Sequence, residues 1–296
     1  MKKISTFKSD VATTFAAMVL VAMAVNPAWG ASGTWTNDAS GAWGGTANWQ
    51  GGVIADGDTF VADFSTINIT ADRTVTLDGA HTISTLVFGD STSDHNWMVT
   101  GANTLTLGTL PVINVVNQTV TFGNGLAGTT GMTKVGAGAL TFMGTNTYSG
   151  GSYVLAGTVN YSGSSAYGLA GSDYNVSNGV VNISTAGSLT FSNNFPLGGL
   201  NGNASPNNGS AVVNQTSGTV SVCGSGGRYL EIGVGTNAYG RYNLAGGTLN
   251  TPNASGIRVG ATGTGIFNQS GGTLNCSRYF SVGTSTTGGE ANTGGR

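Results

Sequence analysis

Residues 214–219 read N-Q-T-S-G-T, residues 243–248 read N-L-A-G-G-T and residues 268–273 read N-Q-S-G-G-T. Each line is followed by one apolar residue, Val220, Leu249 or Leu274. Further on comes a Val-Gly pair: Val234-Gly235, Val259-Gly260 and Val282-Gly283. The Asn positions are 29 and 25 residues apart and the Val-Gly pairs 25 and 23. Two coupled series at one spacing mark an internal repeat. A period near 25 with no helical pattern holds about three strands of four or five residues with their turns. Leucine-rich repeats need a stricter leucine frame, and a propeller blade needs roughly 40–45 residues. The expected fold is therefore all-β, a parallel β-solenoid with coils of about 25 residues. Equivalent positions then stack one strand spacing apart, about 4.8 Å. Asn214, Asn243 and Asn268 are expected to form an amide ladder, and each Gly-Thr to mark a turn that opens a strand.

Composition agrees. Of 296 residues 51 are Gly and 7% are charged, while 39% are hydrophobic. Long helices draw on Glu, Lys and Arg, which are scarce here. Thr, Val, Ser and Asn fit short strands and tight turns instead. Alternating runs continue upstream at Val75-Thr76-Leu77, Leu105-Thr106-Leu107, Val181-Asn182-Ile183 and Leu189-Thr190-Phe191. Pro196 and the stretch 201–209, N-G-N-A-S-P-N-N-G, read as a longer loop leaving one corner.

The first thirty residues read differently. Lys2, Lys3 and Lys8 form a basic start, and Val11 to Val25 is an apolar run broken by Asn26-Pro27. Ala28 and Gly30 put small residues around a cleavage point after Gly30. This is the layout of a secretory signal, and the run is too short for a spanning helix, which needs about 20 residues. The expected domains are a signal peptide at 1–30, an N-terminal cap with the first coils at 31–130, a distinct repeat at 131–163 and further coils at 164–296. From residue 31 the chain keeps eleven carboxylates and seven Lys or Arg. Eight of those acids lie between Asp38 and Asp94, and the last third is mildly basic through Arg228, Arg241, Arg258 and Arg278. No clustered basic domain of the kind that binds nucleic acid is present.

Residues 131–163 read G-M-T-K-V-G-A-G-A-L-T-F-M-G-T-N-T-Y-S-G-G-S-Y-V-L-A-G-T-V-N-Y-S-G. This resembles the autotransporter-associated β-strand repeat, also called the passenger-associated transport repeat. The positions that carry the resemblance are Gly131, Lys134, Gly136, Gly138, Leu140, Phe142, Gly144, Asn146, Thr147, Tyr148, Gly150, Val154, Gly157 and Thr158. Met132, Ser152 and Val159 depart from the family's Leu, Thr and Leu. The resemblance implies a right-handed parallel β-helix passenger, exported to the cell surface, the outer membrane or the medium. It implies a repeat that assists export and folding, with the export machinery and outer membrane as partners. Adhesion to a surface polysaccharide or a host or matrix ligand is a further expected role. A conventional member ends in a membrane β-barrel of alternating strands. This chain ends in G-G-E-A-N-T-G-G-R, so either a reading frame cut inside a longer array, the preferred reading, or an anchor supplied otherwise is expected.

No catalytic, cofactor or metal site is expected. A β-helix lyase or glycosidase needs converging acids, yet after His95 only Asp173, Glu231 and Glu290 remain. Asp56, Asp58, Asp63, Asp72 and Asp78 show no equal coil spacing and read as turn and solubility residues. His81 and His95 are the two histidines, and neither sits in a nucleophile or metal-ligand spacing. Trp35, Trp43 and Trp49 read either as a sugar platform or, better, as a cover for the open apolar end. Tyr153, Tyr161 and Tyr167, or Tyr229, Tyr239 and Tyr242, are candidates for an outer face. Cys223 and Cys276, about two coils apart, are expected to stay unpaired, because disulfide Cα atoms lie about 4.4–6.8 Å apart. Besides the passenger and the β-helix enzyme, a self-assembling matrix protein remains an alternative.

Overall fold

The computed structural model describes residues 30–164, 167–169, 172–199, 208–222, 228–253 and 255–283. Apart from Gly30, the expected signal segment lies outside the described residues, as does most of the loop at 201–209. The described strands lie in three sheets of twelve, ten and five strands. Neighbouring strands within each sheet run parallel, each pairing with the strand one coil further along. Two antiparallel bridges, Ala31 to Asp56 and Trp35 to Trp49, stand apart at the N-terminal end. This is the expected β-solenoid.

Short amphipathic strands explain why the chain coils. Thr119–Phe122, Ala139–Phe142, Thr158–Tyr161 and Ser188–Phe191 each alternate an outward and a buried side chain. The period of two directs one side inward, and a single coil cannot bury that side alone. Stacking coils does so. The core then runs the length of the molecule as an aromatic spine. Phe64 stacks on Phe88 at 4.7 Å between ring centroids, and Phe122, Phe142 and Tyr161 follow at steps of 6.2, 6.1 and 5.5 Å. Tyr174, Phe191, Phe195, Tyr242 and Phe267 carry it on. Each ring pair adds about 0.5–1.5 kcal/mol beyond its buried area.

The tryptophans close the N-terminal end. Trp35, Trp43 and Trp49 are all buried and pack on one another and on Phe64 at 5.3 to 5.5 Å. Their indole N–H groups donate to the carbonyls of Asn37, Ala55 and Trp43, so nothing polar is stranded. A sugar platform needs exposed ring faces, so that reading is overturned in favour of the cover.

Coil length scatters around the expected 25. Thr76 opposes Thr100, and Asn243 opposes Asn268, steps of 24 and 25 residues. Across the repeat the coil tightens: Lys134 opposes Val154 and Leu140 opposes Val159, steps of 20 and 19. Beyond it the coil loosens, with Asn182 opposite Asn214. From Met132–Val135 to Ser210–Gln215 the strands stay three to six residues long, so the corners absorb most of the difference.

Candidate functional site: the repeat coil

The strands of the repeat are Met132–Val135, Ala139–Phe142, Ser152–Val154 and Thr158–Tyr161. In the first, Met132 and Lys134 point inward and Thr133 and Val135 point out. Lys134 is completely buried, in register between Ile113 and Val154. Its ammonium turns to the corner of the coil. There Nζ donates to the carbonyls of Val135 at 2.7 Å, Gly136 at 2.8 Å and Ala156 at 3.2 Å. One cation thus satisfies carbonyls from two successive corners and ties the coils together. Burial pushes the Lys134 pKa down to about 8.

The glycines of the motif make room for that arrangement. Gly157 has a φ of +72°, and a Cβ there would lie 2.4 Å from the Gly136 oxygen and 2.9 Å from Lys134 Nζ. Gly150 is held by space alone, since a Cβ would fall 2.0 Å from the Gly131 nitrogen. Gly136 and Gly138 occupy the same kind of corner against Val115 and Asn117.

The N-T-Y segment, between the second and third strands of the repeat, packs against Leu126 of the preceding coil. Asn146 is buried, and its Oδ1 accepts the Leu126 N–H at 2.9 Å, while the Thr147 N–H donates to the Leu126 carbonyl at 2.8 Å. The amide therefore supplies pairing that a strand would otherwise give. Tyr148 points inward with its hydroxyl 3.0 Å from Ser152 Oγ. Ser152, a departure from the family line, thus keeps a hydroxyl where one is used. Leu140 is buried in the core, Thr147 is exposed, and Thr158 faces outward in register with Ala139 and Val180.

The structure brings Asn214, Asn243 and Asn268 into one column, Asn214 opposite Asn243 and Asn243 opposite Asn268. Asn243 Nδ2 donates to Asn214 Oδ1 at 2.8 Å, and Asn268 Nδ2 to Asn243 Oδ1 at 3.0 Å. The column is longer than the sequence suggested. Asn214 donates to Asn182, Asn182 to Asn160 and Asn160 to Thr141 Oγ1. It thus starts on the repeat itself. A second pair, Asn275 to Asn250, runs on the third sheet.

The acids sit where turns need acceptors. Asp38 takes Arg73 and Thr70, Asp63 takes Ser65, Asp72 takes the Asn96 N–H and Asp78 takes the Gly44 N–H. Asp58 accepts the Thr109 hydroxyl at 2.7 Å. Asp56 binds His81 Nδ1 at 3.0 Å and the Thr82 N–H at 2.9 Å. The one group of three potential metal ligands among the described residues is Asp90, Asp94 and His95. Asp90 is buried, which raises its pKa. Hydrogen bonds from the N–H groups of Asp94, His95 and Ile69 outweigh that and hold it down at about 2. Both its oxygens are occupied, which is the chemistry of a turn cap.

Of the candidate tyrosines, Tyr161 and Tyr242 are buried in the spine, not on an outer face. The inward pleat of their strands decides this. Tyr153 and Tyr229 do face outward. Cys276 is a free thiol, and Cys223 lies outside the described residues.

Residues 132–160 match the family model of the passenger-associated-transport-repeat. Over 161 residues, 54% of the chain, the sequence is 32% identical to the "Adhesin BmaC autotransporter" of Brucella suis biovar 1 (strain 1330). The chain spans 4% of that protein's length. No solved structure gives a significant match. The chain carries a passenger-associated-transport-repeat, built as a tight coil of a parallel β-solenoid, and is similar to an autotransporter adhesin.

Proposed function

We propose that this chain is a stretch of an exported, passenger-type β-solenoid that serves adhesion at the cell surface and catalyses no reaction. The observation that carries the reading is the repeat coil. Its named residues are spent on coil-to-coil contacts inside the molecule, so its chemistry is that of folding. A passenger crossing a membrane unfolded gains from a coil whose turns are set locally, because loop closure costs less for short connections. We assign that part to residues 131–163, flanked by the cap and first coils at 31–130 and by further coils at 164–296. The relative's printed role as an adhesin supports the outward faces as the binding surface. The export machinery and the outer membrane are the expected partners.

The test uses the complete gene in its own host, with an epitope inserted at the exposed turn around Ser91 and Thr92. Antibody labelling of intact cells is expected, together with loss of attachment when the gene is deleted. Removing residues 132–160 is expected to lower the displayed amount severalfold with transcript unchanged. An epitope reached only after lysis, or attachment unchanged by the deletion, overturns the reading.

A further inference from the structure

The strand His81–Phe88 opens next to the tryptophan cap. The side chain of His81 is only 10% exposed and lies against Trp43, with ring centroids 5.6 Å apart. Asp56 meets one of its ring nitrogens. Oδ2 of that carboxylate lies 3.0 Å from Nδ1, while Oδ1 accepts the Thr82 N–H. A carboxylate can only accept, so Nδ1 carries the proton and Nε2 presents a lone pair. Nε2 is shielded from solvent, and no hydrogen bond reaches it. It faces Asp78 Oδ1 at 3.5 Å, across the short turn that follows the strand Arg73–Leu77. The same oxygen accepts the Gly44 N–H at 2.8 Å, which pins the carboxylate to the cap. Gly79 keeps the space beside the ring open, since a Cβ there would meet only His81 Nε2, at 3.7 Å.

A lone pair turned on a carboxylate in a shielded corner is unfavourable unless a positive centre lies between them. Distance decides which centre fits. A second proton on the ring would draw nitrogen and oxygen to about 2.7–2.9 Å. Two ligands of one zinc ion, each about 2.0–2.2 Å from the metal at the tetrahedral angle, stand about 3.4 Å apart. The 3.5 Å between Nε2 and Oδ1 matches the second. Asp56 then holds the outer-shell place, a carboxylate on the far N–H of a ligating imidazole. Imidazole also selects Zn²⁺ over Ca²⁺ or Mg²⁺, which take oxygen sets. We propose that His81 Nε2 and Asp78 bind Zn²⁺, with Asp56 as the positioning residue and water in the remaining places. Trp43, Gly44 and Asp56 belong to the cap and its exit, whereas Asp78 and His81 belong to the first coils. The ion therefore fastens the cap to the solenoid, whatever the solenoid's outer faces bind.

The test titrates Zn²⁺ into the purified, untagged full chain by calorimetry and follows the thermal melt, with Ca²⁺ and Mg²⁺ as controls. Zn²⁺ alone is expected to bind wild type and raise its melting temperature, because an ion held only by the folded state stabilises it, and a chelator should reverse the rise. Asp78→Asn is expected to bind at least tenfold more weakly and to show no rise. Its amide still accepts the Gly44 N–H and donates to Nε2 in the ion's place, so the fold should persist. Asp56→Asn should lower the affinity about 10–100-fold with the metal-free melt unchanged, whereas a merely structural Asp56 would move the melt and leave the affinity alone. His95→Gln removes the other histidine and should bind as wild type does. Undiminished binding by folded Asp78→Asn, loss of binding in His95→Gln, or no zinc-dependent rise in wild type each overturns the proposal. Should Asp78→Asn fail to fold, wild type itself decides. Cu²⁺, which such N,O sites hold more tightly than Zn²⁺, should quench part of the tryptophan fluorescence through Trp43, and the absence of quenching overturns the site.

Discussion

Gly150→Val is expected to abolish cooperative folding of the repeat coil. A Cβ at that position falls 2.0 Å from the Gly131 nitrogen and 2.3 Å from the Thr130 carbonyl carbon. Both obstacles are backbone, so no rotamer change relieves the clash, and Val adds two methyl groups to it. The coils must part. Losses above about 4–5 kcal/mol are confined to defects of this kind. In a solenoid the damage stays local, because each coil contacts only its neighbours. Limited proteolysis should therefore cut the variant near residues 130–150 while fragments on either side persist. Gly79→Ala is the control: its Cβ would meet nothing closer than His81 Nε2 at 3.7 Å, so the melting temperature should move little. A normal melt for Gly150→Val would show that the two corners do not approach as described.

The second large effect is expected at Lys134. Lys134→Met keeps the length and loses the donor to three carbonyls, those of Val135, Gly136 and Ala156. A buried acceptor left without a partner costs about 1–3 kcal/mol. Removing a buried ammonium gives some of that back, since its desolvation cost disappears as well. A net loss of about 2–4 kcal/mol follows, read as a lower midpoint in urea. The pH dependence carries the signature. Burial pushes the folded-state pKa down to about 8, against roughly 10.4 in an unfolded chain. Between those values the unfolded state binds more protons than the folded one, so stability rises with pH. Below about pH 8 the cost of holding the charge is fully present. Wild type should thus gain stability from about pH 8 upward relative to Lys134→Met. The useful window closes near pH 10, where the buried phenols of Tyr174 and Tyr242, raised by burial, begin to favour the folded state less as unfolded tyrosines ionise. Parallel pH profiles for the two proteins would remove Lys134 from its corner.

Much of this architecture is legible before any coordinates. Asn214, Asn243 and Asn268 recur at one offset from Gly-Thr, and that offset is a register. Their column begins earlier, at Asn160 and Asn182. Those two escape the periodic reading because corners of different length shift the step from 22 residues at Asn160 to 32 at Asn182. The local signal was present, since Val159-Asn160 and Val181-Asn182 both follow the alternation of Val213-Asn214. Likewise, Met132 and Lys134 lie two apart on one strand, which places the lysine on the core side. The bias against buried cations argues the other way, and only the carbonyls of the two corners reverse it. The aromatic spine is beyond any linear reading. It passes from Tyr161 on the second sheet to Tyr174 on the first and Phe191 on the third, so no fixed spacing along the chain encodes it. The His81 site is hidden for the same reason: Trp43, Asp56 and His81 become neighbours only once the cap closes on the first coil.

Distances along the amide column test the solenoid most directly. Thr141 and Asn268 stand 127 residues apart in the chain and five coils apart in the fold. At one strand spacing per coil their Cα atoms lie about 24 Å apart, and those of Asn160 and Asn243, three coils apart, about 14 Å. Pairs of nitroxide labels at these positions, in a background of Cys223→Ser and Cys276→Ser, report the separations by electron paramagnetic resonance. Narrow distributions whose centres scale with the number of coils are the expected result. Broad distributions, or centres that do not grow from three coils to five, would contradict the parallel stack on which every other statement rests.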